Sequence, residues 1–213
     1  MPKVFLSAGH GGNDPGAVAY GMKEKDINLN IMLACNDVLV RHNVVTVLSR
    51  TIDENDPVSQ EVKEANASGA VIAVSFHTNA GGGDGSESLY CSEKGKKLAE
   101  LCEKHVRALG QNSRGAKKRT NLRFLKGTKM TAVLCECAFI DNDKDNNIID
   151  TVKEQKAFGV AYAKAILEHL GITYKEDKTY IVQVGTYKSK ANADIALKKA
   201  KASGFSDAFI KTV

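Results

Sequence analysis

Apolar and polar positions alternate along this chain in two rhythms. Compact apolar runs of strand length, "KVFLSAG", "VVTVLSR", "AVIAVSFH", "SESLYC", "NLRFL" and "TAVLCECAFI", are separated by stretches in which apolar residues recur every three or four positions. From Lys25 to Arg41 the recurring set is Ile27, Ile31, Ala34, Val38 and Leu39, which predicts a helix. A second helix is predicted from Pro57 to Ser68, opened by Asp56-Pro57. A third starts at the capping residue Ser92 and runs to about Leu109, with Leu98, Leu101, Cys102 and Val106 on one face and Gly110 as its stop. A long fourth helix follows the last strand and ends at His169-Leu170-Gly171, and the basic stretch "QNSRGAKKRT" reads as a loop. The strands are mostly continuous in their apolarity, as strands buried on both faces are. The expectation is therefore an α/β fold, helices flanking a largely parallel sheet.

After Gly171 the rhythm breaks. "GITYKEDKT" has no apolar period and predicts a linker over 172–178, between a body at 1–171 and a small unit at 179–213. That unit reads as strand "YIVQVGTY", helix Ser189 to Ser203 and strand "FSDAFIKTV". A βαβ unit of this size cannot bury a core alone and has to pack on the body, on another copy or on a partner.

Composition changes this picture in four places. The chain is 213 residues long, 43% hydrophobic and 26% charged, which is ordinary for a globular protein, and no apolar run is long enough for a membrane span. The opening "MPKVFLSAGH" starts directly as a strand with no secretory pattern, so the expectation is synthesis in a cytoplasm and release by some other route. Net charge is +5, of which the residues from Thr179 onward carry +4 (six lysines against two aspartates). Such a tail on a near-neutral body suits an acidic surface, although a lysine-rich solvated helix has the same charge. The five cysteines, Cys35, Cys91, Cys102, Cys135 and Cys137, show no metal-binding spacing and read as free thiols.

The candidate chemistry begins with one misplaced charge. Glu136 lies in the middle of "TAVLCECAFI", where a carboxylate costs several kcal/mol unless it is protonated, paired or facing a metal. Cys135 and Cys137 alternate with it and should point to the opposite face as core. Two histidines also end apolar strands and precede glycine- or asparagine-rich loops: His10 after the first strand, His77 after "AVIAVSF". In open α/β sheets such loops build the site. Two imidazoles, a carboxylate and an open position make a hydrolytic zinc centre. Glu24, at the start of the first helix, is the preferred carboxylate, with Asp14 and Asp26 as competitors; Asp14-Pro15-Gly16 reads as turn chemistry. Glu136 is then free to act as general base, burial raising its pKa and a nearby cation opposing the rise.

Taken together, "AGHGGNDPGA", "GMKEKDINL", "SFHTNA" and "AVLCECAFIDN" resemble the zinc-dependent N-acetylmuramoyl-L-alanine amidases over about Lys3 to Leu170. The resemblance implies a six-stranded sheet flanked by helices and cleavage of the amide between muramic acid and the stem peptide of peptidoglycan. It also implies His10, Glu24 and His77 as Zn2+ ligands, Glu136 as the catalytic glutamate, Asn79 as a polar supporter of the site and Arg114 as lining the substrate groove. Two departures concern structure: "QEVKEAN" lacks the family's usual arginine, and Thr131 replaces its usual proline. The same metal and base would also serve a peptidase acting within the stem peptide, and a non-catalytic wall-binding protein is a third reading. "YIVQVGTYKSKANADIALKKAKASGF", through Tyr180, Gln183, Gly185 and "KANAD", resembles one half of a SPOR repeat, a module that binds cell-wall glycan. A single half implies pairing with a second copy, hence a homodimer through the tail, with a truncated chain as the competing explanation. Neither nucleic acid nor membrane insertion is expected. The resemblance leaves open a phage endolysin or a bacterial autolysin.

Overall fold

The computed structural model describes residues 1–176 and 183–212. Its centre is a six-stranded sheet in the order β4-β1-β5-β8-β6-β7, formed by β1 (Lys3–Ala8), β4 (Val45–Leu48), β5 (Ile72–Asn79), β6 (Ser86–Tyr90), β7 (Ser113–Lys118) and β8 (Thr131–Phe139). Strands β4, β1, β5 and β8 run parallel, and β6 is antiparallel to β8. A two-stranded hairpin of β2 (Val18–Ala19) and β3 (Met22–Lys23) leads into α1 (Glu24–Arg41). The sheet is therefore mixed and mostly parallel, as the continuous apolar strands predict.

Each face of the sheet packs its own core. The larger core takes Val74 and Phe76 of β5 and Val133, Cys135 and Cys137 of β8. Against them lie Ile27, Ile31 and Val38 of α1, Leu98 and Cys102 of α3 (Glu93–Arg107), and Phe158, Tyr162 and Ile166 of α6 (Val152–His169). The smaller core takes Phe5, Ala73, Ala132 and Leu134 with Ala65 of α2 (Val58–Ala67) and Phe124 and Leu125 of α4 (Arg123–Gly127). Helix ends match their capping signals: Ser92 Oγ accepts from the Gly95 N–H, and Thr151 and Glu154 form a reciprocal capping box at the start of α6.

Two assignments change. "NLRFL" is not a strand: Arg123–Gly127 is the short helix α4, whose Phe124 and Leu125 sit under α2. A five-residue apolar run has no period long enough to separate the two states. The sixth strand is instead β7, inside the basic stretch expected to be a loop. As an edge strand it pairs on one side only, and lysines and arginines on an edge discourage pairing with other chains. A further short helix, α5 (Asp143–Asn146), follows β8.

The chain divides into two compact units after Lys175. Within the first, Ile172 and Tyr174 of the expected linker pack on the core, Tyr174 stacked on His42 at 5.3 Å between ring centroids. In the second, α7 (Lys190–Ala202) matches the predicted helix and buries no residue. The described parts of the two flanking predicted strands, 183–187 and 205–212, carry no strand, while Tyr180 lies outside the described residues. A strand exists by pairing, and these segments pair with nothing among the described residues. All five cysteines are free. Among the described residues no helix is long and apolar enough to cross a membrane.

Candidate metal centre

The site forms at the carboxyl ends of β1, β5 and β8. Parallel pairing sets Ala8 beside Phe76, so the chain leaves β1 and reaches His10 where β5 reaches His77. Glu24 is the first residue of α1, brought in by the hairpin. A ligand atom from each of His10, Glu24 and His77 lies within 4.8 Å of the others. Glu24 Oε1 is 3.2 Å from His10 Nε2 and 3.0 Å from His77 Nδ1.

The carboxylate at the centre of this group is held from all sides. Its Oε1 accepts from the Thr78 N–H at 3.0 Å and Asn28 Nδ2 at 3.3 Å, and its Oε2 from the Ala17 N–H at 2.9 Å. Asn28 also donates to the Gly9 carbonyl, and its Oδ1 accepts from the Thr78 hydroxyl. His10 is oriented from behind, its Nδ1 lying 2.8 Å from Asp14 Oδ2. The other Asp14 oxygen accepts from the Gly16 N–H, so this residue makes the turn and aims the imidazole at once. Asp26, the remaining competitor for Glu24, is exposed.

The electrostatics follow from these contacts. Burial pushes the Glu24 carboxyl up, but hydrogen bonds with His10 and His77 outweigh it and hold Glu24 far below the usual carboxylate range. The hydrogen bond to Glu24, helped by Asp14, lifts His10 to about 9 against the opposing pull of burial. Burial lowers His77, but Glu24 and the Glu136 charge reverse that, and its pKa ends raised.

Glu136 stands apart from this web. It is half-buried, in register with His77 on the neighbouring strand, and faces the same side of the sheet as Leu134 and Ala132. Cys135 and Cys137 face the larger core, as strand alternation requires. Among the described residues no hydrogen bond reaches its carboxylate. Burial pushes its pKa up to about 7, moderated by His77 and reinforced by Glu24 and Glu87.

The donor set suits a borderline divalent ion such as zinc: two imidazoles and one carboxylate converge, leaving a fourth position for substrate or water. The backbone makes room for it. A Cβ on Gly9 would lie 2.2 Å from the His77 ring, and one on Gly16 would lie 2.5 Å from Glu24 Oε2. His10 has φ 66°, a left-handed conformation costing a non-glycine residue about 1 kcal/mol. Strain of this kind gathers at functional sites.

Asn79 and Arg114 are not part of the triad. Asn79 ends β5, its Oδ1 accepting from the Ala80 N–H and its carbonyl from the Ile140 N–H, so it shapes the loop after β5. Arg114 lies two strands from His77's neighbour Glu136, on edge strand β7, with Nε donating to Glu87 at 2.8 Å and its guanidinium 5.1 Å over the Phe139 ring. Sequence reasoning missed Asn28 and Glu87 and gave Asp14 only half of its role. Asn28 left a signal: it is the polar residue one turn after Glu24 on an otherwise apolar helix face.

The sequence profile of a family described as N-acetylmuramoyl-L-alanine amidase matches residues 4–168, and that of the SPOR domain matches residues 162–212. The N-acetylmuramoyl-L-alanine amidase CwlM of Bacillus licheniformis is 33% identical over 211 residues, 96% of this chain and 83% of that protein. The endolysin of Bacillus phage SPP1 is 36% identical over 194 residues, 82% of this chain and 71% of that protein. Among solved structures, the catalytic domain of CwlV, an N-acetylmuramoyl-L-alanine amidase from Bacillus (Paenibacillus) polymyxa var. colistinus, superposes with a TM-score of 0.76 at 30% identity, covering 81% of this chain and all of that one.

Proposed function

The chain belongs to the N-acetylmuramoyl-L-alanine amidase family, and on that premise we propose that it hydrolyses its substrate amide at a zinc centre held by His10, Glu24 and His77, with Glu136 as the general base. The enzyme is an N-acetylmuramoyl-L-alanine amidase acting on peptidoglycan, and the SPOR match over residues 162–212 supports, on our reading, a wall-binding role for the tail. The observation that carries the assignment of roles is the register of Glu136 beside His77, on the face where the three candidate ligands converge.

When bound, zinc supplies Lewis acidity, polarising the amide carbonyl and making the attacking water a stronger acid. Glu136 takes the proton from that water and passes it to the alanine nitrogen as the C–N bond breaks. The products are a lactyl carboxylate on the glycan and a free L-alanine amine. A carboxylate near pH 7 in pKa is suited to both transfers, accepting a proton and then releasing it. Asp14 fixes the tautomer and direction of His10, while Thr78, Asn28 and Ala17 hold Glu24 in place.

Mass spectrometry of digested walls tests this reading. The expected fragments carry free lactyl groups on glycan and L-alanine N-termini on peptide, and chelation abolishes their release until zinc is restored. Fragments cut within the stem peptide, or full activity after chelation, would overturn it.

The tail also pairs, on our reading, with a second copy of itself. Ile195, Phe205 and Phe209 are each more than half exposed in a unit whose helix buries nothing. Light scattering at tens of micromolar is expected to show a dimer that Phe205→Ser with Phe209→Ser dissociates. A monomer with an ordered tail would refute it.

A further inference from the structure

The stretch from Lys104 to Lys129 holds nine lysines and arginines and no acidic residue. Two of these cations, Arg114 and Lys117, turn onto the face of the sheet that carries the metal centre. Both meet the same acceptor, Oε2 of Glu87 on β6. Glu87 is itself in register with Glu136 on β8. The turn is built by a bulge: Ser86 and Ser88 of β6 face Ser113 and Ala116 of β7, so β7 carries one residue more than its partner. Gly115 lies in that bulge at φ +82°, a conformation few other residues take without strain.

The arrangement leaves charge to spare. One carboxylate, 8% exposed, holds two cations whose side chains are 38% and 30% exposed. Burial would push Glu87 up, but its hydrogen bonds with Lys117 and Arg114 hold its pKa below the ordinary value, so it remains ionised and the group has a surplus of one positive charge. Arg114 uses Nε on Glu87, and its two terminal nitrogens have no acceptor among the described residues. Its guanidinium is held over the Phe139 ring at 5.1 Å. A braced, planar, half-satisfied guanidinium beside an ammonium is suited to a carboxylate.

Distance limits which carboxylate could reach this pair. Neighbouring strands lie about 4.8 Å apart, so β7 is roughly 10 Å from β8 and Glu136. An extended peptide advances about 3.3 Å per residue, so one that runs from the amide at Glu136 across the sheet towards β7 would reach it in roughly two to three residues.

We propose that Arg114 and Lys117, braced on Glu87, form a subsite for a free carboxylate on the second or third residue of the stem peptide. The proposal rests on the amidase reading for the position of the scissile bond. It makes the enzyme discriminate between stems whose carboxylates are free and stems in which they are amidated.

The test compares two muramoyl tripeptides that differ only in a free α-carboxylate or an α-carboxamide at the second residue, with a second pair varied at the third. Calorimetric binding is measured with turnover stopped by Glu136→Gln, and kcat/KM with the native enzyme. The free acid is expected to bind about tenfold more tightly in at least one pair, one charge-assisted contact's difference. Arg114→Gln and, independently, Lys117→Gln bring that ratio towards one, with a larger loss on the free acid than on the amidated ligand. Thermal melts matching the parent show that the variants are folded. Equal affinity for acid and amide in both pairs overturns the proposal, as does an equal loss on both ligands in the variants. Inorganic phosphate competing with both ligands alike would mark a non-selective anion patch and would also overturn it. The amidase reading fails separately: if the native enzyme cuts none of these tripeptides at the lactyl–alanine amide while binding still discriminates, the subsite stands and that reading falls.

Discussion

On β8, Cys135 and Cys137 face the larger core while Glu136, between them, faces the side on which the candidate metal ligands gather. Their burial is equally a product of the strand, yet its consequences are opposite. For the thiols, burial is a packing gain, and desolvation pushes both well above the ordinary thiol range, keeping them neutral and unreactive. For the carboxylate, burial is a cost that brings its pKa to about 7, the range that the proposed role of general base calls for. The period of two along a strand thus separates what holds the protein together from what it does. On β5, Phe76 packs into the larger core and His77 turns to the site.

Substitutions on the two faces should therefore separate activity from stability. The largest expected effect is from His77→Ala, which removes a proposed zinc ligand and a partner of Glu24. Hydrolysis should fall to background and bound zinc be lost in dialysis, while the melting midpoint of the metal-free protein stays within a few degrees. Retained zinc and turnover would place the metal elsewhere. Next comes Asp14→Ala, which leaves all three ligands but frees the His10 ring. Zinc affinity should weaken about 10–100-fold, read by competition with a chelating dye.

Proton competition gives the third effect. His10 is raised to about 9 in the metal-free protein, so below that pH zinc must displace a proton to bind. Affinity should rise about tenfold per pH unit for each proton released and flatten above about pH 9. Without metal the sign reverses. The raised His10 pKa stabilises the fold fully below the unfolded value near 6.5, and that contribution is lost as pH rises through about 9. A metal affinity independent of pH would contradict the contacts drawn here. The smallest effect should come from the other face: Cys137→Ala costs about 1 kcal/mol of stability by denaturant unfolding and leaves kcat/KM within about twofold.

What could be read from the sequence divides along the same line. Glu136 was legible because a charge in an apolar strand has few explanations, and His10 and His77 because each ends such a strand. Glu24 was legible by elimination, as the acidic residue at the start of the first helix. Glu87 was not, since one glutamate in "SESLY" is unremarkable until β6 is known to lie beside β8. Asp14 showed only its turn; its bond to His10 depends on how the loop folds back. β7 was hidden by its basic side chains and α4 by its shortness, because an edge strand and a single helical turn leave no apolar period. In the tail the helix was legible from its own sequence, whereas strands depend on partners that lie elsewhere.

The central claim is that metal holding and proton transfer belong to different residues on one face of the sheet. Glu136→Gln tests it most directly, with bound zinc and fragment release measured on the same preparation. The account predicts native zinc content and a fall of about 10²–10⁴-fold in hydrolysis. Undiminished hydrolysis, or loss of zinc along with it, would contradict the account.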